Sequence, residues 1–166
     1  ENTIKRIESS IIDLIDKKNL TNKIGGYESS DFGRMDLNQI IGKYSSKKVD
    51  IVEKVLLIKL SKTFRYNMSE IELYDYTRGI WIVSEDKRKE IDYVFCVYDG
   101  IIQETYKVLD WFPGGSTYSV RHDKEEWKKH ERWEFVGNIS NEMRKKYRHK
   151  SVSHYFPSGS RNPVRY

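Results

Sequence analysis

Apolar residues fall into short blocks along this chain, and the spacing inside each block changes with position. Ile4, Ile7, Ile11, Leu14 and Ile15 recur at helical spacing, with Asn2 or Thr3 available as a cap and Lys17-Lys18 at the end where the helix dipole favours cations. That pattern predicts an amphipathic helix of about four to five turns. Gly25-Gly26 and two serines make residues 21–30 a loop, so residues 1–30 read as a helix and linker outside one domain spanning 31–166. Asp36 can cap a short helix through Asn38-Gln39-Ile40-Ile41, which Ser45-Ser46-Lys47-Lys48 then breaks.

From Lys54 onward the pattern turns to strands. Val55-Leu56-Leu57-Ile58-Lys59-Leu60 is short, apolar and β-compatible, a strand buried on at least one face. Ser69 and Glu72 have the spacing of a capping box, and Ile71, Leu73, Tyr74 and Tyr76 carry a helix to Arg78-Gly79. Ile80-Trp81-Ile82-Val83 predicts a short strand, and the polar run from Ser84 to Glu90 a solvated loop. Residues 91–98 and 101–108 flank Asp99-Gly100, the pair that a type I′ hairpin turn favours. The second of these strands closes through Leu109 to Gly115, and a long loop is expected to Glu131. Arg132 to Gly137 alternates as a strand with one wet face does. Ser140 can cap a basic helix running to His149, with Met143 and Tyr147 inward. Pro157, Gly159 and Pro163 make the tail irregular or a set of short edge strands.

Composition narrows the classes. The 166 residues suit one domain, and 12 Tyr, 6 Phe and 4 Trp supply too many buriable rings for a disordered chain. No apolar run reaches the roughly 18 residues that span a bilayer, so a soluble protein without a membrane partner is expected. The single cysteine, Cys96, lies inside Tyr93-Val94-Phe95-Cys96-Val97, which makes it a small core residue and points to a cytoplasmic home. Charge is uneven. Seven Lys and Arg against Glu142 alone give residues 141–166 a net +6, so the first 140 residues carry −1 of the total +5. Such asymmetry is the footprint of a polyanion partner or of a solvated terminal helix.

The chemistry can be narrowed by spacing. His122, His130, His149 and His154 have no cysteine near them in a zinc pattern, and no metal or cofactor is expected. A nuclease would need carboxylates gathered around a divalent cation. Glu104, Asp110 and Glu134 lie on or beside predicted strands and are the residues that could meet for this purpose, although solvated strand faces explain them equally well. No Gly-x-Ser-x-Gly and no phosphate-cradling Gly loop occurs. What remains is aromatic and basic. Trp81 and Trp133, inside strand patterns, read as core, whereas Trp111, Phe112 and Trp127 border the long loop and, with Tyr155, read as candidates to stack on a base. Arg144, Lys145, Arg148 and Lys150 surround Tyr147 and are the candidate phosphate ligands.

Leu73-Tyr74-Asp75-Tyr76-Thr77-Arg78-Gly79-Ile80-Trp81, then Tyr93 to Trp111, then Arg132-Trp133-Glu134-Phe135-Val136-Gly137, Lys150-Ser151-Val152 and Asn162-Pro163-Val164-Arg165-Tyr166 together resemble an uncharacterised bacterial domain family, over about residues 54–166. The resemblance implies a setting in restriction or mobile-element proteins and carries no catalytic residues. The order of strand, helix, Trp strand and hairpin is also similar to the small barrels of the PUA, EVE and ASCH group, which implies reading of modified bases. The expected fold is therefore α+β, with a bent, barrel-like and mostly antiparallel sheet, flanking helices and the N-terminal amphipathic helix outside. The expected function is a nucleic-acid-binding module for DNA or RNA, reading a modified or flipped base, with a metal-dependent nuclease as the alternative and a protein-interaction domain third. Beginning at Glu1, the chain reads as a piece of a longer protein with a fused or associated catalytic domain.

Overall fold

The computed structural model describes residues 36–120, 131–157, 159 and 162–166. The N-terminal helix expected over Ile4 to Ile15, the linker after it and Trp127 lie outside these residues. Within them the order is α1 (Leu37–Ser45), β1 (Val55–Lys59), α2 (Glu70–Arg78), α3 (Glu85–Glu90), β2 (Tyr93–Tyr98), β3 (Ile101–Pro113), β4 (Trp133–Ile139), α4 (Asn141–Tyr147), a 3₁₀ turn (Ser153–Tyr155) and β5 (Val164–Arg165).

The strands form one five-stranded sheet in the order β4-β3-β2-β1-β5. β1 and β2 are parallel, with Val55 opposite Tyr93, while the other three neighbouring pairs are antiparallel. The α+β class holds, but the sheet is mixed and open: β4 and β5 are its two ends and do not pair with each other among the described residues. The barrel-like closure expected from the sequence is thus corrected. The physical reason is the parallel β1/β2 pair. Parallel neighbours need a crossover, here the segment carrying α2 and α3, and that crossover covers one face of the sheet.

Both faces are buried. Leu56 and Ile58 of β1 pack with Val94, Cys96, Tyr106 and Phe135 on one face, against Leu73 and Tyr74 of α2. Val55 and Leu57 point the other way and pack with Phe95, Val97 and Ile102 against Met143 and Tyr147 of α4. Alternate residues of a strand serve opposite faces, so a strand covered on both sides must be continuously apolar, as Val55-Leu56-Leu57-Ile58 is. Burial pushes the Cys96 thiol up to about 12, as expected of an inert core cysteine.

Local chemistry accounts for most boundaries. Asp36 and Gln39 form a reciprocal capping box at α1, and Ser69 and Glu72 do the same at α2. Asp99 and Gly100 both have positive φ, 51° and 74°, which is the I′ geometry expected of the β2-β3 turn. Ser140 accepts from the Met143 amide to start α4, which ends at Tyr147 rather than His149. Three expectations change. β3 runs on to Pro113, past the predicted Val108, with a bulge at Leu109 where Val108 faces Gly137 and Asp110 faces Val136. Ile80 to Val83 makes only an antiparallel bridge, Trp81 to Trp133, not a strand. The run after Ser84 is the helix α3, held by Glu85 to Lys89 at 2.7 Å and Lys87 to Glu90 at 2.8 Å. Ion pairs at three and four residues stabilise a helix that has no apolar stripe to announce it.

α4 is fastened to the segment before β1 through Glu53. The Tyr147 hydroxyl and the Lys146 ammonium each donate to its carboxylate at 2.5 Å. Burial pushes the Glu53 carboxyl up, but the Lys146 and Tyr147 hydrogen bonds outweigh it and hold the group below its ordinary value. A lowered folded-state pKa stabilises the fold above the unfolded value, and that contribution is lost as pH falls through the folded value. Stability is therefore expected to drop on the acid side of the ordinary carboxylate range. Glu53→Gln should flatten this limb, measured as urea unfolding midpoints between pH 3 and 7; an unchanged pH profile would show that Glu53 is not a linked group.

Candidate nucleic-acid interface

Two basic segments a hundred residues apart in sequence meet beside α1. The Val49 amide donates to the Ser151 carbonyl at 2.9 Å and the Ser151 amide to the Lys47 carbonyl at 3.3 Å, which makes a parallel bridge of Lys48 with Ser151. The turn after α4 is held to β3, with the His149 amide on the Ile102 carbonyl at 2.8 Å and the Ile102 amide on the Lys150 carbonyl at 3.0 Å. α1 closes the third side. A Cβ on Gly42 would sit 2.8 Å from the His149 carbonyl oxygen, so only glycine allows the helix this close. The result is a cleft of about 530 Å³ lined by Asn38, Lys47, Lys48, Arg148, His149 and Lys150 among others, and among the described residues no carboxylate lines it. Lys47, Lys48 and Lys150 are exposed.

The four sequence-predicted phosphate ligands divide. Lys150 and Arg148 line the cleft, and Lys145 is exposed on α4. Arg144 is engaged elsewhere: it grips the buried Glu104 through two bonds of 2.7 and 2.5 Å and reaches Glu70 at 2.9 Å. Those carboxylates, Glu104 foremost, raise its pKa further, so it stays charged but already neutralised. Arg148 donates to the Gln103 carbonyl and lies 4.0 Å from Glu104. Lys47 and Lys48 carry no local signal of a site, since Ser45-Ser46-Lys47-Lys48 reads only as a helix breaker. Their proximity to Lys150 is a tertiary fact. His149 has φ 63°, and burial, aided by Arg148, lowers its pKa. Both effects favour the neutral imidazole.

Among the described residues the expected aromatic set, Trp111, Phe112 and Tyr155, is not brought together. Trp111 packs its ring 5.8 Å from Phe135 on the α2 face of the sheet. Tyr155 packs on the α4 face, where its hydroxyl accepts from the Ile51 amide at 3.0 Å. Rings on opposite faces cannot share a pocket. Phe112 stands opposite Glu134 on β3 and is half-buried. Trp133, expected in the core, is half-buried and lies under the Arg88 guanidinium at 3.5 Å, while Trp81 donates its indole N–H to the Thr77 carbonyl at 2.7 Å.

The three carboxylates of the nuclease alternative also separate. Glu104 belongs to Arg144, as above, and Asp110 is exposed, accepting from the Trp111 amide at 2.8 Å. Glu134 is buried and accepts from the Gly115 amide at 3.2 Å and the Thr117 amide at 2.8 Å, with Arg78 3.9 Å away. Among the described residues no group of three or more His, Cys, Asp or Glu side chains could hold a metal ion. Nor, among them, is any helix long and apolar enough to cross a membrane. Family models, curated proteins and solved structures yield no match to this chain.

Proposed function

We propose that this chain binds nucleic acid through the cleft between α1 and the turn after α4. One observation carries the reading: Lys47-Lys48 and Arg148-Lys150, remote in sequence, converge on a concave surface that, among the described residues, no carboxylate lines. Other cations of α4 are paired with acids, Arg144 with Glu104 and Lys146 with Glu53. Exposed ammonium groups on flexible stems suit phosphates as point charges and read no bases, so binding is expected to be broad in sequence. Recognition of a modified base on a PUA-type scaffold, and action beside a catalytic domain in a restriction setting, are narrower forms of the proposal. The open sheet gives the first of these no added support. No feature of the carboxylates favours the nuclease alternative over it.

The triple variant Lys47→Glu, Lys48→Glu and Lys150→Glu tests the proposal. It is expected to weaken binding to duplex and single-stranded oligonucleotides alike. Each lost phosphate contact should reduce the slope of log affinity against log salt by about 0.9 on duplex and about 0.7 on single strands. Equal affinity and equal salt slope in a folded variant would reduce the cleft to ordinary solvated surface.

A further inference from the structure

At the other end of β3 lies a second cleft, of about 790 Å³, lined by Ile82, Ser84, Arg88, Gly114, Arg132 and Trp133 among others. Ile102, which holds the turn of the basic cleft, and Pro113, which borders this one, are eleven residues apart on one strand, or about 36 Å. The two are separate sites. Arg65, Arg78, Arg144 and Arg148 each have a carboxylate within 4.0 Å. Arg88 and Arg132, both half-buried, have none among the described residues. Each is fixed to the wall by a backbone carbonyl instead, Arg88 to Val83 at 2.5 Å and Arg132 to Ile80 at 3.4 Å. A guanidinium has five N–H donors, so each keeps a fork for another partner. Two glutamates, Glu85 and Glu131, also line the cleft, and Glu85 is tied to Lys89 at 2.7 Å.

The arrangement has a flat component as well. The Arg88 guanidinium lies 3.5 Å from the Trp133 ring centre, forming a two-layer platform. Guanidinium and indole planes are the surfaces on which nucleobases stack. The volume falls in the range of small-molecule sites rather than of a single-anion notch. A ligand that uses both features has a planar ring system and a compact anion. We propose that this cleft binds a nucleoside monophosphate group, either a free nucleotide or the phosphorylated end of a strand, with the base on the Arg88-Trp133 platform and the phosphate on Arg132.

The test titrates the full chain with adenosine 5′-monophosphate, adenosine, inorganic phosphate, and a hexanucleotide with and without a 5′-phosphate, read by calorimetry and tryptophan fluorescence. Saturable binding of the monophosphate is expected, with adenosine and phosphate alone weaker by about tenfold or more. Arg132→Ala should weaken it roughly 10- to 100-fold, Arg132→Lys less, and Glu131→Gln should tighten it. A preference for the phosphorylated hexanucleotide over the free monophosphate identifies the strand end as the ligand; the reverse order identifies the free nucleotide. Arg88→Ala should also weaken binding, and if it fails to fold, Arg132→Ala with an unchanged melting temperature decides alone. The proposal is overturned if neither phosphorylated ligand saturates, if adenosine binds as tightly as its monophosphate, or if folded Arg132→Ala binds like the parent. Loss of monophosphate binding in the Lys47, Lys48 and Lys150 triple variant would also overturn it, by placing the ligand in the basic cleft.

Discussion

Replacing Arg78 by Met is expected to cost about 3–5 kcal/mol of folding stability, because it removes one partner from a buried group of charges. Arg78, Asp75 and Glu134 are 3%, 5% and 1% exposed. The Arg78 Nε donates to Asp75 at 2.6 Å, and its two other nitrogens donate to the Thr117 hydroxyl and the Tyr118 carbonyl. The carboxylates in turn receive the loop after β3: Gly115 and Thr117 amides on Glu134, the Ser119 hydroxyl at 3.1 Å and the Val120 amide at 2.5 Å on Asp75. One guanidinium therefore stands between two carboxylates that together hold six residues of loop against α2 and β4. Without it, two negative charges remain in a site with little access to water, and unfolding is how they regain hydration. Arg78→Lys should rescue little, since a single ammonium cannot reproduce the three-way fork. Urea unfolding of both variants measures the effect; a loss under about 1 kcal/mol would mean that water reaches the carboxylates once the arginine is gone.

Tyr147→Ala should lose a comparable amount, about 3–5 kcal/mol, for a different reason. Its ring is 1% exposed, lies 5.5 Å from Phe95 and belongs to the core that joins α4 to the sheet. Tyr147→Phe keeps the ring and loses only the hydrogen bond to the Glu53 carboxylate, for which about 1.5–3 kcal/mol is expected. The order of the two variants separates packing from hydrogen bonding. Tyr147 is also the last residue of α4, directly before the Arg148-His149-Lys150 turn. Tyr147→Ala is accordingly expected to weaken oligonucleotide binding at temperatures well below its melting point, whereas Tyr147→Phe should not. Equal stability losses in the two variants would assign the whole contribution to the hydroxyl.

The sequence alone determined the elements whose signals are local. Capping at Asp36, Ser69 and Ser140, the Asp99-Gly100 turn and the apolar run of β1 depend on neighbours within about four residues, and each stands where the spacing put it. The inward Met143 and Tyr147 of α4 were legible for the same reason, as was Cys96 in the core. α3 was not, because its stability comes from charge pairs along its surface and leaves no apolar period to read.

Everything that makes a site was decided by tertiary contacts. Lys47-Lys48 joins Lys150 only because β3 and the segment after α1 both bond to the turn at residues 149–151. The aromatic candidates separate because alternate strand residues serve opposite faces, and which face holds the cleft depends on where the crossover packs. Glu104, Asp110 and Glu134 share a sheet but not a neighbourhood, since each carboxylate found the nearest donor: an arginine, its own following amide, and a docked loop. Charge along a chain is a sum over residues, whereas the charge of a surface depends on which cations the fold leaves unpaired. That difference moved the proposed phosphate contacts from Arg144 to Lys47 and Lys48, and exposed Arg88 and Arg132, which no local pattern distinguishes from any other arginine in the chain.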